Sequence, residues 1–177
     1  SEFIAQKDIA VGAYAKELGF QNSERFVHSS KSWLCHPRAE RRAPILPWQS
    51  SFAEQKLSPV DAASEYLRHL AYVWNATIGA DDEKSDFFRQ KIIVTVPASF
   101  DPAARNLTLE AIEQAGIKSV SLLEEPQAAF YDYLQRNPEI MVSELKGVET
   151  VLVIDIGGCT TDASLIKADW TGSSNYP

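Results

Sequence analysis

VLVIDIGGCTTDASLI, residues Val151 to Ile166, is the stretch on which the reading of the chain turns. Val151–Ile156 is apolar except for Asp155 and predicts a buried strand. Gly157-Gly158-Cys159 then forces a tight turn, and Thr160–Ile166 alternates as a return strand does. The pattern predicts a β-hairpin with a carboxylate at the end of its first strand and a glycine turn beside it. Adjacent glycines let backbone N–H groups approach a phosphate closely. Asp155 and Asp162 can hold a hydrated divalent cation at the same place, because Mg²⁺ favours a few carboxylates plus waters. A hairpin differs from the strand–loop–helix of the Walker and dinucleotide patterns. By itself, an ordinary Gly-Gly turn between two strands satisfies the same residues, so the rest of the chain has to decide.

The chain has 177 residues, enough for one domain or two small lobes. Its 45% hydrophobic and 23% charged residues are the balance of a soluble globular protein. A net charge of −7 argues against nucleic acid as the main partner but leaves room for a nucleotide, which needs only a local site. No apolar run approaches a membrane span and no signal-peptide pattern opens the chain. Cys35 and Cys159 lie far apart without metal-ligand spacing, which suits a reducing, cytoplasmic setting. The chain does not open with Met, and the expectation is an internal segment of something longer.

Outward from the hairpin, helices and strands alternate. Ile4–Leu18 has helical spacing, with Gly19 as its stop. Gln21-Asn22-Ser23 predicts a cap for a second helix running to about Cys35. By periodicity alone, Lys31 on that helix is a solvated lysine. Residues 36–55 carry Pro37, Pro44 and Pro47 and predict a loop or short edge hairpin around Ala43–Trp48. Their arginines Arg38, Arg41 and Arg42 read as solvated beside Glu40. Ser58, Pro59 and Asp61 predict a capped helix to about Ala76. Lys91–Val96 predicts a strand stopped by Pro97. Asp101-Pro102 opens a helix that Gly116 ends. Ser119–Leu123 predicts a strand, Gln127–Leu134 a helix, and Asn137–Lys146 an irregular return. Such alternation indicates an α/β layer protein.

An ordered series now becomes specific: Val94-Thr95-Val96-Pro97-Ala98-Ser99-Phe100, Arg105, Ala115-Gly116, Leu123-Glu124-Glu125-Pro126-Gln127-Ala128-Ala129 and Asp155-Ile156-Gly157-Gly158-Cys159-Thr160-Thr161-Asp162. It resembles the nucleotide-binding domain of the DnaK-type heat-shock chaperone family, within the actin-like ATPase superfamily. Ser29-Ser30-Lys31-Ser32-Trp33-Leu34 resembles the helix that carries the family's phosphate-contacting lysine.

The resemblance implies a partial actin-like (ribonuclease H-like) α/β fold with a small peripheral α-rich subdomain. Residues 1–57 would be that subdomain, 58–146 part of the first lobe's core, and 147–177 the first hairpin of the second lobe. It implies binding of ATP or ADP with Mg, and a monovalent cation in the full-length protein. Lys31 would reach the γ-phosphate and Glu125 would orient the attacking water. Asp155 would face the Mg²⁺ water shell, while Gly157, Gly158 and the Cys159 backbone would cradle phosphate oxygens. The Thr160 hydroxyl would point towards the terminal phosphate and Asp162 would help hold a cation. Pro97 and Arg105 match positions that couple nucleotide state to the interdomain linker. A J-domain cochaperone and a client polypeptide are the implied partners, with neither nucleic acid nor membrane. Two departures from the family pattern stand out: Cys159 replaces the third glycine of the turn, and Ser32 follows Lys31 where many members carry arginine. They keep open a nucleotide sensor that does not hydrolyse, and the motifs shared across the superfamily keep open a filament-forming or kinase-like actin-type ATPase. With one of two phosphate clamps present, the segment alone is expected neither to bind ATP tightly nor to hydrolyse it.

Overall fold

A computed structural model describes residues 9–79, 82–157 and 161–169. They divide into two compact units. The first runs to Ile92 and takes up Phe100–Val120; the second takes Ile93–Ser99 and continues from Ser121.

The first unit is built on two capped helices, α3 (Pro59–Thr77) and α4 (Pro102–Gln114), which pack on each other. (Before them come α1, Ala13–Gln21, and α2, Ser30–Leu34.) The start of α3 is a full capping box: Ser58 Oγ accepts from Asp61 N–H at 2.9 Å, and Ser58 N–H donates to Asp61 Oδ2 at 3.2 Å. Asp101 caps α4 through Ala104 N–H at 2.7 Å. Gly116 takes φ 87° just past α4, the left-handed conformation that glycine reaches without strain. Small residues line the buried faces of the two helices. Ala62, Ser64, Ala104 and Ala111 are all 3% exposed or less, so the backbones approach closely. Ser64 Oγ is buried with no hydrogen-bond partner among the described residues.

Several local expectations give way here. Gly19 does not stop a helix. It lies buried inside α1, where a Cβ would stand 2.4 Å from the Phe26 ring, so its missing side chain makes room for that ring. The expected second helix shrinks to a 3-10 turn at Ser23–Arg25 and the five residues of α2. Phe26 is extended and Ser29 adopts φ 57°, because this segment follows the contact with α1 rather than its own helical spacing. No side-chain cap forms at Asn22. Of the loop or short edge hairpin expected around Ala43–Trp48, the loop is what forms, tied by a single antiparallel bridge from Leu46 to Leu57 and with a cis peptide at Leu46-Pro47. Arg42 pairs with Glu110 on α4, at 2.9 and 2.7 Å, rather than resting beside Glu40. Arg41 donates to the Leu34 carbonyl at 3.0 Å.

The second unit holds most of β1 (Ile92–Val96) and β2 (Val120–Glu124), which pair with each other. It also holds α5 (Glu125–Arg136), α6 (Pro138–Ser143), and the antiparallel hairpin of β3 (Thr150–Ile156) and β4 (Thr161–Lys167). The expected return at Asn137–Lys146 contains α6, opened by Pro138 at its first turn. The helix α5 packs on both β3 and β4. Val151, Val153, Ser164 and Ile166 share one face and are half-buried. Leu152, Ile154, Ile156 and Leu165 share the other face and are 56–77% exposed. The expected fully buried strand is therefore buried on one side only among the described residues. The mixed α/β class and the order of elements from Ser58 onward stand, with α6 added. Among the described residues, no helix is long and apolar enough to cross a membrane.

Candidate functional site

The register of the hairpin sets Asp155 directly opposite Asp162, one residue pair from the turn. In an antiparallel pair, opposed residues point to the same face, with Cβ atoms about 4.5–5.5 Å apart. Two like charges so placed repel each other, and a cation between or beside them removes the penalty. That face is the one shared with Val153 and Ser164.

The sequence around Glu125 brings a third carboxylate to the same place. Glu124 ends β2 and Glu125 begins α5, with Pro126 fixing the first helical turn. A carboxylate at that position is favoured by the helix dipole, so the local fold and a functional role call for the same residue. Glu125 is half-buried. Together these residues line a cleft of about 440 Å³. Pro97 and Ser99 form one wall, Glu125 and Ala129 another, and Asp155, Asp162 and Ser164 a third. Pro97 follows β1 immediately, so the strand terminator doubles as a wall.

Hard oxygen donors of this kind suit Mg²⁺ held through water. Direct ligation is a poorer fit, since no three His, Cys, Asp or Glu side chains among the described residues converge to bind a metal.

The remaining residues singled out by sequence are placed as follows. Gly157 follows β3 and is described; Gly158, Cys159 and Thr160 lie outside the described residues. Lys31 is exposed on α2 of the first unit, whose N-cap is the left-handed Ser29. Ser29 O accepts from Ser32 N–H at 2.9 Å, which closes the first turn beneath Lys31. Ser32 is also exposed on α2. Arg105 lies on α4 of the first unit, where its Nε donates to Phe100 O at 3.1 Å. Sequence reasoning missed Ser99, Ala129 and Ser164 as cleft walls. Ser164 was legible in principle, because it sits two positions from Asp162 and so shares its face.

The first unit has a larger cleft, about 870 Å³, among Leu18, Phe26, Phe52 and Tyr66. It holds none of the residues singled out above. Its Glu24 carboxylate accepts from Ser51 Oγ at 2.5 Å and Ser51 N–H at 3.2 Å, and these bonds hold its pKa below the usual value. Size favours this cleft, but the three carboxylates that line the smaller one favour it, and the chemistry decides.

A family model described as Hsp70 protein matches residues 3–172. The chain is 30% identical over 176 residues to a chaperone protein HscA homolog of Histophilus somni, covering 93% of this chain and 26% of that protein. It is 30% identical over 174 residues to the homolog of Photobacterium profundum, covering 92% and 26%. It is 31% identical over 174 residues to chaperone protein HscA of Xenorhabdus nematophila, covering 92% and 26%. The chain therefore spans about a quarter of the length of the curated relatives it matches.

Proposed function

The chain belongs to the Hsp70 protein family, and from that premise we propose that it forms part of the ATP-binding, Mg-dependent ATPase domain of a DnaK-like molecular chaperone. The observation that carries this reading is that Asp155, Asp162 and Glu125 line one cleft, with the two aspartates paired across β3 and β4. The fold would be the actin-like ATPase fold in part. Residues 1–57 would supply a peripheral subdomain, 58–146 part of the first lobe's core, and 147–177 the first hairpin of the second lobe.

In this reading each residue has a bounded task. Gly157 and the following turn residues Gly158 and Cys159 present backbone N–H groups to phosphate oxygens. Thr160 offers its hydroxyl to the terminal phosphate. Asp155 and Asp162 would hold Mg²⁺ through its waters, and the ion would supply positive charge at the phosphates. A monovalent cation would use the same acidic end. Glu125 orients the attacking water and takes up its proton. Lys31 places positive charge at the γ-phosphate, where charge develops in phosphoryl transfer. Pro97 and Arg105 relay nucleotide state to the linker. Lobe closure on Mg-ATP, and its release on hydrolysis, would pass to a substrate domain. A J-domain cochaperone and client polypeptides would be the partners, in the cytoplasm.

Steady-state ATP turnover by the full gene product containing these residues tests the proposal. Lys31→Ala and Glu125→Ala should each lower kcat by about 10²-fold or more while nucleotide binding persists. A parent protein that binds nucleotide and shows no turnover would instead support a sensor.

A further inference from the structure

A second surface lies within the first unit, on the loop that follows α2. Three rings stack in the order His36, Trp33, Trp48. His36 and Trp33 have centroids 5.1 Å apart at 29°, and Trp33 and Trp48 are 5.0 Å apart at 26°. Trp33 is half-buried, His36 is exposed, and Trp48 remains 56% exposed despite its stacking. Single exposed apolar residues are ordinary, whereas a contiguous surface of stacked rings is the kind that marks an interaction site.

The stack is held rather than loose. Leu46, two residues before Trp48, is 2% exposed and exchanges backbone hydrogen bonds with Leu57 at 2.9 and 2.7 Å. Arg41 is bonded to the end of α2 and Arg42 to α4. Lys56 Nζ donates to the Trp48 carbonyl at 3.4 Å, and Arg38 N–H donates to His36 Nδ1 at 3.3 Å. Rings fixed in this way lose little freedom when a ligand covers them.

The charge around the stack is opposite to that of the chain. From Lys31 to Lys56 there are five Lys and Arg residues against Glu40 and Glu54, in a protein of net charge −7. Glu110 compensates Arg42 and Asp101 lies 4.0 Å from Arg41, while Lys56 Nζ is a cationic group bonded to the stack and Arg38 meets it through its backbone N–H. Tryptophan and arginine are also the residues that carry most binding energy at interfaces. We propose that the His36–Trp33–Trp48 stack is a docking surface for an acidic segment of a partner protein. Its apolar or aromatic anchor would rest on Trp48 and its carboxylates would face Arg38 and Lys56.

The test uses the 177-residue chain and a synthetic probe, a short labelled peptide with one central phenylalanine flanked by glutamates. A lysine-flanked counterpart is the control. Fluorescence anisotropy gives affinity, and the Trp48 indole N–H signal reports position by NMR. The glutamate peptide should bind, shift the Trp48 signal, weaken as salt rises, and lose at least about tenfold in affinity with Trp48→Ala. Arg38→Glu, which leaves the rings in place, should weaken the glutamate peptide and favour the lysine one. The proposal is overturned by any of four results: neither peptide binds, both bind alike, both substitutions leave binding unchanged, or Trp48 instead mediates concentration-dependent self-association.

Discussion

Asp155 and Asp162 face each other as direct cross-strand partners in the β3–β4 hairpin. Without a cation, that pairing of like charges costs the hairpin stability. Replacing either carboxylate by its neutral isostere removes the repulsion and with it the reason for Mg²⁺ to bind. Asp162→Asn should therefore be as stable as the parent or slightly more stable in EDTA, by thermal unfolding. It should also gain less from added Mg²⁺ than the parent does. Equal Mg²⁺ stabilisation of parent and variant would place the ion elsewhere.

Gly19 offers a prediction about packing rather than function. A Cβ there would sit 2.4–2.9 Å from three atoms of the Phe26 ring, so the ring must move. Gly19→Ala should destabilise by about 1–3 kcal/mol, the usual cost of overpacking. That outweighs the gain of up to about 1 kcal/mol expected from glycine to alanine inside a helix. In a Phe26→Leu background the cost should shrink. Chemical denaturation of the double-mutant cycle measures the coupling, and additive effects would refute the contact.

Glu24 gives a pH dependence. Its hydrogen bonds from Ser51 Oγ and N–H lower its folded pKa below the ordinary 4.5. A group whose folded pKa is depressed contributes stability that is present above the unfolded value. That contribution is lost as pH falls through the folded value. Ser51→Ala should thus lower stability at neutral pH and flatten its fall below pH 4.5. Unfolding midpoints recorded across that range decide the point, and parallel curves for parent and variant would count against it.

What the sequence made legible was local. Ser58 with Asp61, Asp101 with Pro102, and Gly116 each act within one turn, so their residue types alone predicted the caps. The hairpin was legible because alternation and a glycine turn fix its register. Long-range contacts escaped. Gly19 resembles a helix stop until Phe26 is placed against it, and Arg42 finds Glu110, 68 positions away, instead of Glu40 nearby. The short α2 and the added α6 reflect the same limit, because helices of five or six residues carry too few positions for a period to show. Of the candidate site, Asp155 and Asp162 were paired from their own residues and Glu125 came from the resemblance, whereas their lining of one cleft with Ser99 and Ala129 follows only from the fold.

The central proposal is that Glu125, Asp155 and Asp162 form part of a Mg-nucleotide site at the end of the β3–β4 hairpin. Titration of the ¹⁵N-labelled chain with Mg-ATP, followed by NMR, tests it most directly. Weak binding in the millimolar range, about −4 kcal/mol, is predicted, with shifts concentrated at Glu125, Asp155, Gly157 and Asp162 and reduced by Asp162→Asn. Micromolar binding would contradict a partial site, and shifts confined to other residues would contradict the site itself.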